Sequence, residues 1–596
     1  MNRRRAVARS LPVAALALCL AGGARAQESD LGGSLGGGGG AGGGGETSGG
    51  TAGGTSAGSV PALTLPPSGS LLQSGPAQPG GLGTPAGLLG TGQGESLRDR
   101  IGQALGLQAP GEAGQPTFQF TPAINLQQGW TSNAINVPGT AGGQSAFMTI
   151  VNPSLAVSAD SQRVQGGLVY APSLFEYEPN RGQSQVAQNL SAHVHAIVIP
   201  DTLFIDMQGF AGEQTITGGF GPTGTTVQNN SNTAQDYSFS LMPYLQHRFG
   251  DIGVGEIGGS FSQTAQLVPG NTVAAVQPGL PATALPSQYM TMTEEHVAFS
   301  SGDGFGRWVS NALISLSQDS GTGVFTGAYR NTAEYEAGYA ITHSFTVLAT
   351  IGWDDLHYAG LPPITIDTPL WNVGFQWTPN ADSQVIARYG RKDGIDAPFL
   401  SATYVPTPRT RLNASYSVML STDQEQLRND LANSTTDASG NPVSAVTGES
   451  LLSGNNFLGL FAGVYRLESG QVGGSLLLDR DTFQVSVNRQ RQTTLNTVPG
   501  SIAGLTSLGT FGSVTWQHDL SDAVKTTMFV QYGVSQSVVS AFSQSSDVLT
   551  GSAQVSYALS DTLSTNLIYS HTQSSYRSPI PGYSVDMVLA GIQKRF

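Results

Sequence analysis

The chain has 596 residues, 11% charged and 39% apolar, with 79 glycines, one cysteine and a formal net charge of −14 at pH 7. An acidic chain is a poor ligand for a polyphosphate backbone, which argues against nucleic-acid binding, and one cysteine supports neither a disulfide framework nor a thiolate metal site. No stretch approaches the roughly 20 apolar residues of a membrane-spanning helix.

The first residues read as an export signal. Arg3, Arg4, Arg5 and Arg9 precede the apolar core LPVAALALCL and the small-residue site Ala24-Arg25-Ala26, so residues 1–26 are expected to be a signal peptide cleaved after Ala26. The competing reading is a lipoprotein signal with lipid on Cys19, although Leu18 stands where such signals resemble one another in having a small residue. Loss of the five arginines at 3, 4, 5, 9 and 25 leaves 21 basic residues against 40 acidic ones, a mature charge of −19 with no cysteine. Residues 27–116 are Gly-, Pro- and Ser-rich and are expected to form a disordered periplasmic leader, because they cannot bury a core. Within it, Leu97, Ile101 and Leu105 fall at helical spacing, which suits a transient helix or a docking helix for a periplasmic partner.

From 117 to 596 the pattern becomes period-2 alternation, broken by Gly/Pro/Asn/Asp/Ser segments. Trp371, Val373, Phe375 and Trp377 share one face; so do Leu412, Ala414, Tyr416, Val418 and Leu420, and Phe345, Val347, Ala349, Ile351 and Trp353. A half-buried soluble strand alternates in the same way, but these stretches have the length of tilted spanning strands. Short turns such as PDT at 200, GDIG at 250, PNAD at 379 and TPRT at 407 alternate with longer loops. Together they predict an all-β chain, a transmembrane antiparallel barrel of about 22 strands (range about 18–22) in a Gram-negative outer membrane, with both barrel ends on the periplasmic side. Phe596, at the end of the closing strand, resembles the terminal aromatic that barrel-insertion machinery reads. Lys594 departs from that signal, which places weight on Phe596 and Ile592.

The opening LQQGWTSNA, the long segment TDQEQLRNDLANSTTDASGNPVSAVTGES and the hairpin DRDTFQVSVNRQRQ resemble an outer-membrane β-barrel family encoded beside exopolysaccharide-synthesis and PEP-CTERM protein-sorting systems. The resemblance spans about residues 117–596 and implies fold and location, with polysaccharide-export components as candidate periplasmic partners.

No catalytic or phosphate-binding motif stands out, and enzyme activity is not expected; no cofactor or metal is implied either. In the hairpin NLSAHVHAIVIPDTLFIDMQGF, alternation turns His193, His195, Asp206 and Gln208 into the lumen, and a 199–202 pairing would set His195 opposite Asp206 and His193 opposite Gln208. That is either an ordinary wet lumen pair or a pH-sensitive or metal-binding patch. Ser238, Ser240, Tyr244 and Gln246 on one strand, and Gln484, Ser486, Asn488 and Gln490 on another, supply neutral lumen lining. Glu294, His296, Glu334 and Glu336 are expected inward, against Arg388 and Lys392. Arg489 and Arg491 continue the outward face of Phe483, Val485 and Val487, and are expected at the outer rim, either on lipopolysaccharide phosphates or snorkelling to water. The function these features imply is a passive aqueous channel, and the family resemblance implies exopolysaccharide export as its foremost use. The alternatives are a general diffusion porin, which needs a constricting loop folded inward, and a non-transporting structural or receptor barrel. A TonB-type receptor is not expected, because the Gly-rich leader cannot form a globular plug.

Overall fold

Alternation through strands 13 to 19 residues long leaves each long strand with one apolar and one polar face, and only closure of the sheet on itself satisfies every backbone group without an edge. The computed structural model describes residues 118–134, 144–179, 184–216, 233–268, 286–432, 457–498, 506–539, 542–576 and 582–596, plus two short hairpins, Val273–Ala274 with Thr283–Ala284 and Ser434–Thr436 with Pro442–Ser444. The signal peptide and leader expected over 1–116 lie outside the described residues, as do most of the loops near 225, 275 and 440.

Twenty-five segments form one sheet, and three spanning strands are each built from two of them, so the barrel has 22 strands. In chain order these are β1 (Phe118–Thr131), β2 (Ala146–Asp160), β3 (Val164–Tyr170 and Ser173–Glu178), β4 (Gln185–Ala187 and Leu190–Ile199), β5 (Leu203–Thr215), β6 (Thr233–Arg248) and β7 (Gly253–Leu267). Next come β8 (Gln288–Ser301), β9 (Trp308–Gly321), β10 (Tyr329–Thr342), β11 (Phe345–Tyr358), β12 (Ile364–Asn380), β13 (Ser383–Lys392), β14 (Ile395–Asp396 and Phe399–Thr407) and β15 (Thr410–Ser421). The last seven are β16 (Tyr465–Leu477), β17 (Asp481–Thr494), β18 (Thr506–Asp519), β19 (Val524–Val539), β20 (Phe542–Ser560), β21 (Leu563–Tyr576) and β22 (Tyr583–Arg595). All neighbours are antiparallel, and β1 closes on β22 from Ala123↔Arg595 to Thr131↔Met587. The Phe596 amide donates to the Pro122 carbonyl at 2.9 Å, which ties the terminal residue to β1, and its side chain is exposed, as are those of Phe118 and Phe120.

One rim carries only short turns, among them 200–202, 249–252, 381–382, 408–409, 520–523 and 561–562, and the barrel's two ends lie there too; this is the periplasmic rim. In the first of these, Asp201 sits at φ 56, a left-handed conformation that aspartate tolerates better than most residues. The opposite rim is not uniformly long-looped. β13 and β14 join through Asp393-Gly394, both with positive φ, as a two-residue hairpin turn requires.

Polarity is inverted relative to a soluble protein. Trp371, Val373, Phe375 and Trp377 are 36–55% exposed on the outer face, whereas Glu336, Asp354 and Arg388 are buried on the inner one. The chain is therefore an outer-membrane β-barrel. Val418 and Leu420 keep the outward parity of Leu412 and Tyr416 but are buried, because parity fixes the face of a side chain while the surrounding chain decides its exposure.

Candidate functional site

Between β15 and β16 the chain turns into the lumen. Helix α1 (Asp423–Ala432) starts from a capping box: the Glu425 amide donates to Thr422 Oγ1 at 3.2 Å, and the Thr422 amide donates to Glu425 Oε2 at 3.0 Å. Gln424 Nε2 reaches Gln266 of β7 at 3.3 Å, and Leu427 packs on Phe210 of β5. The returning segment 457–464 follows the same route. The Leu460 amide donates to the Ile216 carbonyl at 3.0 Å, and Leu460 is buried with Ile216, Ala234 and Val268.

A second anchor lies on β10 and β11. Tyr358 donates to Glu425 Oε1 and accepts from Arg330, which pairs with Asp393 at 2.7 Å; the Asp393 amide donates to Asp354 at 3.1 Å. Val324 and Phe325, in the connection between β9 and β10, are buried against Ala462, Val464 and Val498. Asn496 donates to the Ala359 carbonyl and accepts from the Val464 amide, both at 2.8 Å. The segment rooted at β15–β16 is thus held at β5–β7 and again at β10–β11, so it crosses the lumen at its outer mouth.

Asp423 is the hinge-side lock of this segment. Its Oδ2 accepts the Phe461 amide at 2.5 Å, and its Oδ1 lies 2.8 Å from the Tyr465 hydroxyl, which is itself 2.9 Å from Gln426 Oε1. Burial pushes the Asp423 carboxyl up to about 7, against the opposing pull of the Phe461 and Tyr465 hydrogen bonds. With a proton on Asp423 the chain runs from the Asp423 O–H to the Tyr465 oxygen and from the Tyr465 O–H to Gln426 Oε1; with the Gln426 oxygen facing Tyr465, an ionised Asp423 and Gln426 compete for one Tyr465 proton.

The inner wall of β7–β13 is charged and paired. Arg388 meets Glu336 at 3.0 Å and Lys392 meets Glu334 at 3.8 Å, while His296 meets Glu256 at 3.2 Å. Glu336 also accepts from Asn311 and Thr350 at 3.3 Å each, and Glu294 accepts from Ser315 at 2.6 Å. Gly258 on β7 keeps room for this wall, since a Cβ there would meet Tyr244 and His296 at 2.7 and 2.8 Å.

The hairpin pair falls at the anticipated register, His195↔Asp206 and His193↔Gln208, with His195 Nδ1 2.6 Å from Asp206 Oδ1. The turn differs: Ile199 pairs with Leu203 rather than residue 202, and a bulge between Ile197 and Ile199 absorbs the offset. Phe204 stacks on His195 at 5.7 Å and on Tyr244 at 5.3 Å, which joins this pair to the β6 lining. Among the described residues no third histidine, cysteine or carboxylate joins them into a metal-ligand cluster. Ser238 and Ser240 are buried on the inner face of β6, where Gln246 shares their parity. Ser486, Asn488 and Gln490 are buried inward on β17, and Gln484 is exposed on that same face. Arg489 and Arg491 lie on the outward face three to five positions from the outer end of β17.

The lumen-crossing segment is what sequence reasoning missed. Thr422-Asp423-Gln424-Glu425 is a legible capping-box signal for a helix start, but nothing local indicates which wall that helix touches.

No family model and no curated protein matches the chain. Among solved structures it is similar to the FrpB iron transporter of Neisseria meningitidis (F5-1 variant, apoprotein form), with 11% identity over 80% of this chain and 81% of that one and a TM-score of 0.46. A mutant ferric enterobactin receptor, PfeA of Pseudomonas aeruginosa, gives 10% identity over 80% of each chain and a TM-score of 0.36. The siderophore receptor PirA of the same organism gives 10% over 81% of each and 0.35. At these scores the similarity does not extend to cargo.

Proposed function

We propose that this barrel is a constricted diffusion channel for small polar solutes. The observation that carries the reading is the inward segment of α1 and 457–464, held on both β5–β7 and β10–β11. With strands about 4.8 Å apart and tilted about 40°, a regular 22-strand barrel closes at about 44 Å across, an open hole unless its interior is filled. A segment crossing that opening, together with a paired mixed-charge wall, favours sorting by size and polarity over strong selection by charge sign.

A second reading, exopolysaccharide export, has the neutral wall of β17–β20 in its favour. Ser486–Ser513, Ser507–Ser537 and Ser535–Ser546 hydroxyl pairs line it at 2.7–3.0 Å, and such groups exchange water for sugar hydroxyls at little net cost. It requires α1 to swing aside, and the resemblance to the exopolysaccharide-associated family includes that very segment.

Planar-bilayer recording separates the readings. Wild-type protein should give a small conductance that larger sugars block, and Leu427→Asp with Leu460→Asp, which breaks both apolar contacts with the far wall, should raise it several-fold. An unchanged conductance in the double variant sinks the constriction, and silence in both proteins indicates a non-transporting barrel. Loss of surface polysaccharide on deletion of the gene would favour export.

A further inference from the structure

We propose that Arg466, Arg489 and Arg491 form a docking site for the phosphates of an acylated glycolipid of the lipid A type in the outer leaflet. The proposal rests on the outer-membrane location and not on what passes the lumen. All three side chains lie on the outward face near the outer ends of β16 and β17, where register sets Glu468 opposite Arg491 and Gly470 opposite Arg489. Arg489 and Arg491 are two residues apart on one strand, so their Cα atoms are about 6.7 Å apart.

Glu468 organises the cluster. Its Oε1 is 3.3 Å from an Arg466 Nη atom and 3.9 Å from an Arg491 Nη atom, so one carboxylate oxygen draws two guanidinium groups together across the strand pair. Three guanidiniums and one carboxylate leave two positive charges, with planar donors suited to bidentate contact with phosphate oxygens. Simple snorkelling would send each arginine separately toward water and has no use for a carboxylate between two of them.

The surface below the cluster is apolar. Val485 and Val487 on β17, Val472 on β16 and Val514 on β18 are 47–63% exposed, a lipid-facing strip aligned with the arginines. The ligand that matches both parts carries phosphates at one end and acyl chains at the other, which a free phosphate does not. The patch is also local. Elsewhere toward the outer ends of the strands the outward face presents carboxylates, such as Asp367, which accepts from Trp353 at 2.6 Å, and Asp586, which pairs with His571 and accepts from Tyr569 at 2.9 Å each, while the outward Arg391 of β13 stands opposite Trp371 and is not joined to a second arginine.

The test uses full-length protein purified in mild detergent, wild type against R466Q/R489Q/R491Q, with folding checked by heat-modifiable migration. Bound lipid A per barrel, measured by mass spectrometry after detergent exchange, should fall at least tenfold in the triple variant. Lipid A added back should raise the unfolding temperature of the wild type; dephosphorylated lipid A and inorganic phosphate at the same concentration should not. Equal lipid retention by the folded triple variant, or equal stabilisation by the dephosphorylated lipid, overturns the proposal. If the triple variant does not fold, R489Q/R491Q decides: a several-fold loss of bound lipid A from the folded double variant supports the docking site, and wild-type retention overturns it.

Discussion

Replacing Asp423 by asparagine tests whether the lumen-crossing segment responds to pH. In the closed arrangement the Asp423 carboxyl is held at about 7 by burial, against an ordinary value of 3.8. When the segment lifts away, that carboxyl returns to water and titrates as an ordinary aspartate. The closed form therefore retains a proton that the open form gives up. Closure has its full support below about pH 4 and loses it as pH rises through 7, a total of about 4 kcal/mol. Between pH 5 and pH 8 the change is about 2.6 kcal/mol, roughly a hundredfold in the ratio of open to closed channel. The asparagine side chain reproduces the protonated pattern, its amide donating to Tyr465 and its carbonyl accepting from Phe461. The variant should stay closed and lose its pH response, while the wild type opens as pH rises in single-channel recordings. A wild type that opens on acidification instead, or a variant that keeps the wild-type pH profile, refutes the reasoning.

Other outcomes follow from single contacts. Arg388→Ala leaves the fully buried Glu336 without its cation and should destabilise the barrel by about 3–5 kcal/mol in urea titrations in detergent, whereas Arg388→Met with Glu336→Leu should cost clearly less. Glu295 is exposed on the outward face at the middle of β8, between Leu316 and Gly259, and Glu295→Leu should stabilise the lipid-embedded barrel by about 1–2 kcal/mol in the same titration. A cysteine at Thr326, exposed in the connection between β9 and β10, should react with a membrane-impermeant thiol reagent on intact cells, and one at Asp522 in the β18–β19 turn should not. Labelling at 522 from outside would reverse the orientation of the barrel.

What the sequence determined by itself was the wall. Strand identity and face come from period-2 alternation, which is local: Trp371 through Trp377 point outward because every second residue must, and the pairing of His195 with Asp206 follows from the hairpin they share, with only the bulge before Ile199 left unread. The even strand count and the short-turn rim follow from the same regularity. The interior was decided by tertiary structure. Gln424 meets Gln266 across 158 residues of sequence and Glu425 meets Tyr358 across 67, distances over which no periodicity carries information. The capping box at Thr422–Glu425 predicts that a helix starts, but its path across the lumen depends on Phe210, Ile216 and Tyr358 being brought to face it by closure of the barrel. The inner ion pairs are intermediate in kind. Alternation turned Glu334, Glu336, Arg388 and Lys392 inward, but strands β10 and β13 are not neighbours, so the Arg388–Glu336 and Lys392–Glu334 pairs form only when long side chains reach over the two strands between them.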